Sequence, residues 1–152
     1  MDRLAGGGHA VIDYKTGQAQ VAQWLGDRPD EPQLPMYALG AEEEVHAVVF
    51  ARVKAGEFGF AGIAKDNDLL PNVTTIDKNK SRLAKRYSDW AALMQGWRGA
   101  LEAIGAGYAK GDANVDPRDG PLTCKLCDQQ TFCRVSERLP VGMPGAEADD
   151  EG

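Results

Sequence analysis

The run His9-Ala10-Val11-Ile12-Asp13-Tyr14-Lys15-Thr16-Gly17 closes an apolar segment with a carboxylate and an ammonium two residues apart. On a β-strand that spacing puts both side chains on one face. Neither belongs unpaired beside Val11 and Ile12, because burying an isolated charge is costly. The two must serve each other or a ligand. At a strand end that opens into a cleft, the pair suits phosphodiester hydrolysis: the carboxylate holds a divalent cation, and the ammonium orients water or neutralises developing phosphate charge. At a strand end that merely emerges into solvent, the same residues form a surface ion pair and no more.

Three further constellations carry chemistry. Gln33 and Tyr37 lie four apart in Gln33-Leu34-Pro35-Met36-Tyr37-Ala38 and share a helix face, where an amide and a phenol bracket a phosphate or a metal-bound water without adding charge, or else simply cap and pack. Cys124, Cys127 and Cys133 crowd into ten residues after the loop-forming Asp119-Gly120-Pro121. Zinc or an iron-sulfur cluster takes four ligands, so a fourth must come from elsewhere, and His9 and His46 are the only histidines. Lys78, Lys80, Arg82, Lys85 and Arg86 put five bases into nine residues. Cations at a helix N-terminus oppose the macrodipole, so their clustering there points to an external anion, against the plainer reading of a solvated face.

The elements that must position these residues can be read from periodicity. Met1 to Ala5, the Gly6-Gly7-Gly8 turn and the Asp13 strand read as a hairpin whose first arm is short. Residues 18–32 are polar and carry Gly26, Pro29 and Pro32, so they read as a loop leading to a helix over Pro32 to Glu44 with Asp30 as its N-cap. Val45 to Lys54 is a nearly continuous apolar run of the kind a strand buried on both faces requires, and a second strand over Glu57 to Lys65 pairs with it across Ala55-Gly56. Leu83, Tyr87, Trp90, Met94, Trp97, Leu101, Ile104 and Tyr108 step by four and three, which predicts one long amphipathic helix with a break or frayed end near Gly105. Beyond Lys110 the chain reads as irregular.

Composition sets the outer bounds. A chain of 152 residues that is 43% hydrophobic suits one compact domain with a substantial core. Its formal charge of −6 argues against nucleic acid until the acids are located, since residues 137–152 hold five of them and residues 1–136 carry 18 acids against 16 bases. Net charge therefore does not exclude DNA. With no run of about 18 apolar residues and no signal-peptide pattern at the N-terminus, the expectation is a cytoplasmic protein with no membrane partner.

Taken in order, these motifs resemble the PD-(D/E)XK nuclease superfamily, specifically the RecB-like and AddB-like nuclease domains of bacterial recombination and repair helicase-nucleases. The resemblance rests on Val-Ile-Asp13-Tyr-Lys15-Thr-Gly, then Gln33-Leu-Pro-Met-Tyr37-Ala, a strand hairpin, a long helix and Cys124-X-X-Cys127-X5-Cys133, across about residues 2–134. It implies an α/β fold: a truncated restriction-endonuclease-like core, with a small mixed sheet packed by one long helix and a shorter one. It also implies a DNase using Mg²⁺ or Mn²⁺, with Asp13 and the carbonyl of Tyr14 on the metal, Lys15 as the catalytic lysine, and Gln33 and Tyr37 supporting the site. Lys78, Lys80, Arg82, Lys85 and Arg86 are then the expected DNA contacts. The three cysteines would be three of four ligands of an iron-sulfur cluster, the fourth sitting far upstream in such relatives.

The family pattern also asks for an acidic metal ligand on the strand before Asp13. Asp2-Arg3-Leu4 aligns so that Asp2 falls out of that place, and a one-residue slip turns a strand side chain to the opposite face. The expectation is therefore a partial nuclease domain over residues 1–134, its cysteine-rich tail at 116–134 and a disordered acidic tail at 135–152, with weak or no activity in isolation. A helicase domain or subunit would be its partner, and self-association through an exposed sheet edge is a further expectation. The alternatives are a non-catalytic module that binds DNA or a partner and holds a structural metal or cluster, and a thiol redox protein built on Cys124 and Cys127.

Overall fold

The computed structural model describes residues 1–80, 84–125, 127–134 and Glu137. The chain separates into two compact units, Met1–Gly107 and Tyr108–Gly152.

The first unit is built on a five-stranded mixed sheet in the order β1-β2-β3-β4-β5. Its strands are β1 (Asp2–Arg3), β2 (His9–Lys15), β3 (Val45–Lys54), β4 (Glu57–Ala64) and β5 (Thr74–Thr75). The triglycine turn closes β1 antiparallel onto β2, where Gly7 and Gly8 take the left-handed backbone that a side chain resists and a Cβ at Gly8 would collide with the His46 ring. β2 and β3 run parallel, so the chain must cross over between them, and it does so through the 3-10 turn Val21–Trp24 and helix α1 (Gln33–Gly40). β3 and β4 form the expected antiparallel hairpin.

Why Val45 to Lys54 is continuously apolar follows from its central place. Val48 and Phe50 face one core with Val11, Ile63, Trp24, Leu34, Ala38, Leu93 and Trp97. Ala47 and Val49 face a second with Leu4, Ala10, Ala64 and Val73. A strand with a core on each side has no polar face until both run out, which happens at Arg52. Opposite Val49, Gly62 has no room for a side chain, since a Cβ there would meet the Val48 carbonyl.

Five sequence expectations about helices are corrected. α1 ends at Gly40 instead of Glu44, because the chain turns extended at Ala41 and the Glu44 carbonyl is drawn into the sheet by the His9 amide at 2.9 Å. Its N-cap is Pro32, with no side-chain cap, so Asp30 does not play that part. The long helix α2 (Trp90–Ala109) starts at Trp90, where Asp89 caps it by accepting the Ala92 amide at 2.8 Å. It also runs unbroken through Gly105. The ring of Tyr87 packs on Gly96, where any side chain would collide with it, so this glycine is a docking surface and not a helix breaker. The buried stripe of α2 is Leu93, Trp97 and Ala100, and Tyr108, counted in the expected stripe, is exposed.

In the second unit the segment read as irregular contains two short helices, α3 (Pro121–Cys124) and α4 (Gln130–Cys133). Side chains hold them: the Thr123 hydroxyl accepts the Asp119 amide at 2.9 Å, and the Gln130 carboxamide donates to the Cys124 carbonyl at 2.6 Å. The expected acidic tail at 135–152 lies outside the described residues except for Glu137, whose carboxylate pairs with Arg134.

Candidate active site

Parallel pairing of β2 with β3 fixes which side chains stand together. Val11 sits opposite Val48, Asp13 opposite Phe50 and Lys15 opposite Arg52, and paired residues of parallel strands project to the same face. That face is the one covered by Trp24, α1 and α2. The cover ends beyond Val11, so Asp13 and Lys15 emerge at the carboxyl ends of the two strands with side chains 27% and 28% exposed. They are neither buried nor free.

Lys15 is held from three sides. Its Nζ lies 3.2 Å from Asp13 Oδ2 and 3.6 Å from Glu31 Oε2, and 5.6 Å from the centre of the Phe50 ring. The hydrogen bond to Asp13, with the charges of Asp13 and Glu31, raises the lysine pKa above its ordinary value, so the ammonium keeps its proton. Phe50 is fixed in turn by the buried Trp24, their ring centres 4.5 Å apart, and adds a cation–π contact beneath the ammonium. Sequence reasoning missed Glu31 and Phe50. The signal for Phe50 was available only with the strand register, and Glu31 hid in what read as polar loop; its amide is tied to the Gln23 carbonyl at 3.0 Å.

Gln33 and Tyr37 do share a face of α1, the exposed one, and the Gln33 Nε2 donates to the Tyr37 hydroxyl at 3.1 Å. The opposite face buries Leu34, Pro35 and Ala38. Among the described residues neither Gln33 nor Tyr37 bonds to Asp13 or Lys15; Glu31, two residues before Gln33, makes the connection. Asp2 pairs with Ala10, three residues along β2 from Asp13, which is roughly 10 Å at the rise of a strand. Asp2 is thus no partner for Asp13.

The donor chemistry can be tested against the expected metals. Asp13 offers the hard oxygen that Mg²⁺ or Mn²⁺ takes, and Tyr14 adds a main-chain carbonyl. In kind these residues fit; in number they are few, since no three His, Cys, Asp or Glu side chains come together among the described residues in a way that would hold a metal ion. The iron-sulfur expectation fares worse. Cys124, Cys127 and Cys133 are free thiols, and among the described residues no metal-holding group forms around them. Local bonds occupy two of them: Cys127 Sγ accepts the Gln129 amide at 3.4 Å, and Cys133 Sγ donates to the Gln130 carbonyl at 3.6 Å. The described residues do not fit a cluster.

The basic run is also relocated. Ending four residues before Trp90, it precedes α2 instead of opening it, so the macrodipole argument lapses. Lys78 donates to Asn67 at 2.8 Å and Arg86 pairs with Asp27 at 3.0 Å, while Lys80 and Lys85 are exposed and Arg82 lies outside the described residues.

A parallel strand pair that delivers a carboxylate and a lysine together at its carboxyl end, inside a mixed sheet covered by helices, places the chain in the α/β class. The family model of the PD-(D/E)XK nuclease superfamily matches residues 1–134, and the chain belongs to that superfamily. Its five-stranded sheet with helices is the restriction-endonuclease-like arrangement of that family. Neither the comparison with curated proteins nor that with solved structures gave a match. No helix among the described residues is long and apolar enough to cross a membrane.

Proposed function

We propose that this chain carries the Asp13–Lys15 part of a metal-dependent deoxyribonuclease centre, of the kind that serves RecB-like and AddB-like helicase-nucleases in bacterial recombination and repair. The observation that supports it is the pairing of Asp13 with Lys15 at 3.2 Å where the helical cover of β2 ends. A divalent ion on Asp13 would supply Lewis acidity and a more acidic water. Lys15, protonated and braced by Glu31 and Phe50, stands ready to neutralise charge on the phosphate under attack. Gln33 and Tyr37 offer an uncharged donor and acceptor to the DNA strand from the exposed face of α1. A single carboxylate holds Mg²⁺ weakly, so activity of the chain alone is slow and needs high metal.

The test is cleavage of single-stranded DNA as Mn²⁺ or Mg²⁺ is titrated. Slow metal-dependent cleavage is expected, lost by about 100-fold in both Asp13→Asn and Lys15→Ala. Cleavage that persists in both variants removes the assignment. Rapid cleavage at low metal would overturn the claim of an incomplete site.

A second reading is favoured by the out-of-register Asp2: a module that binds DNA without cutting it. It predicts DNA binding indifferent to Asp13→Ala and no cleavage at any metal concentration.

A further inference from the structure

Next to Lys15 a cleft of about 440 Å³ opens against the ends of β2 and β3. Thr16, Gly17, Gln18, Gln20, Arg52 and Lys54 line it. Its walls hold two cations, a hydroxyl and two carboxamides, and no carboxylate, which is the composition of an anion site. Gln18, Gln20, Arg52 and Lys54 did not figure in the sequence-based site.

Register explains the composition. Arg52 is the residue of β3 directly opposite Lys15, and Phe50, two before it, lies under the Lys15 ammonium, so Arg52 and Lys15 project to one face on neighbouring strands about 4.8 Å apart. Lys15 is already satisfied by Asp13 and Glu31. Arg52 is exposed and makes no ion pair among the described residues. Gln20 is steadied by its amide's bond to the Gln23 carboxamide at 3.1 Å.

We propose that this cleft is a phosphate subsite for a nucleic-acid strand, in which Arg52 binds the phosphodiester next to the one presented to Asp13 and Lys15. The proposal rests on the nuclease reading above. Arginine's planar fork bonds two phosphate oxygens at once, and the Thr16 hydroxyl and the Gln18 amide add uncharged donors. A polyanion with regularly spaced charges can reach Arg52 and the Lys15 site with successive phosphates, whereas a lone small anion can reach only one of them. A contact to backbone phosphate positions the strand and reads no sequence.

The experiment is fluorescence anisotropy of an oligodeoxythymidylate of about 20 nucleotides in EDTA, over a range of salt, where each phosphate contact to single strands adds about 0.7 to the slope of log K against log salt. Arg52→Gln should lower that slope by about 0.7 and weaken binding about tenfold at low salt. Arg52→Lys should restore the slope, because charge is retained, without restoring full affinity. Arg98→Gln removes the same charge from an exposed turn of α2 and should leave the slope unchanged. Thermal melts confirm that each variant is folded. Wild-type binding unaffected by Arg52→Gln overturns the subsite and leaves the nuclease reading standing, and so does an equal loss in Arg98→Gln. If the wild-type chain binds no DNA, the nuclease reading itself falls and takes the subsite with it.

Discussion

Lys15 shows how a charged residue comes to rest at the end of an apolar strand. Each of its contacts belongs to a different segment: Asp13 to the same strand, Glu31 to the crossover loop, Phe50 to the neighbouring strand. The crossover is pinned to α2 by another single residue, since the Trp97 indole donates to the Trp24 carbonyl at 2.8 Å with both residues fully buried. Trp24 in turn packs against Phe50 with the two rings tilted by 42°. Replacing Trp97 by Phe keeps a ring in the core but strands the Trp24 carbonyl, a loss of about 1–3 kcal/mol. A urea titration should show that loss with an unchanged m-value. Because Trp24 holds the ring under Lys15, residual cleavage should fall too, and full activity at reduced stability would mean that Phe50 needs no such support.

At the scale of elements, α2 is defined less by its apolar steps than by its start. Asp89 accepts the Ala92 amide, and this bond, followed by one from the Ser88 hydroxyl, holds the Asp89 carboxyl below the ordinary carboxylate range. The sign of the pH effect follows. A carboxyl whose pKa is lower in the folded chain contributes stability at all pH values above its unfolded pKa of about 3.9, and that contribution disappears as pH falls through the folded value. Melting temperatures of the wild type and Asp89→Ala should therefore differ at neutral pH and converge in acid, while Asp89→Asn, which caps without titrating, should stay level with pH at this position. A constant wild-type to Ala difference at every pH would show that the ionised carboxylate adds nothing. This start was hard to see in the sequence because Tyr87 fits the heptad-like spacing yet belongs to the turn before α2, where its ring covers Gly96. The four-three stepping marked the helix but could not separate a residue on it from one packed against it. The strand hairpin and the Asp13 strand were legible because alternation and apolar runs depend only on local sequence. Glu31, Phe50 and Arg52 were not, since they become neighbours of Lys15 only through the parallel register of β2 and β3.

At the scale of the whole sheet, the two outer strands are both two residues long, and each protects only two residues of its neighbour's edge. β1 pairs β2 only at His9 and Ala10, so Val11 to Lys15 present an outer row of backbone groups with no partner strand among the described residues. β3, by contrast, is paired along both sides, to β2 between Val45 and Arg52 and to β4 between Ala47 and Lys54. Open edges recruit strands, and the charged Asp2 and Arg3 blunt only the end of this one. Two measurements follow from that asymmetry. In hydrogen exchange, β3 amides should be the slowest in Met1–Gly107, while alternate amides between Val11 and Lys15, those turned away from β3, should exchange at rates near those of loops. In sedimentation, the chain should self-associate with concentration through the same row. The two are linked, because pairing at that edge buries the fast amides, so their exchange should slow as concentration rises while β3 stays constant. Fast edge amides at every concentration, in a chain that sediments as a monomer throughout, would show that charge at Asp2, Arg3, Asp13 and Lys15 is enough to keep the edge from recruiting a second copy.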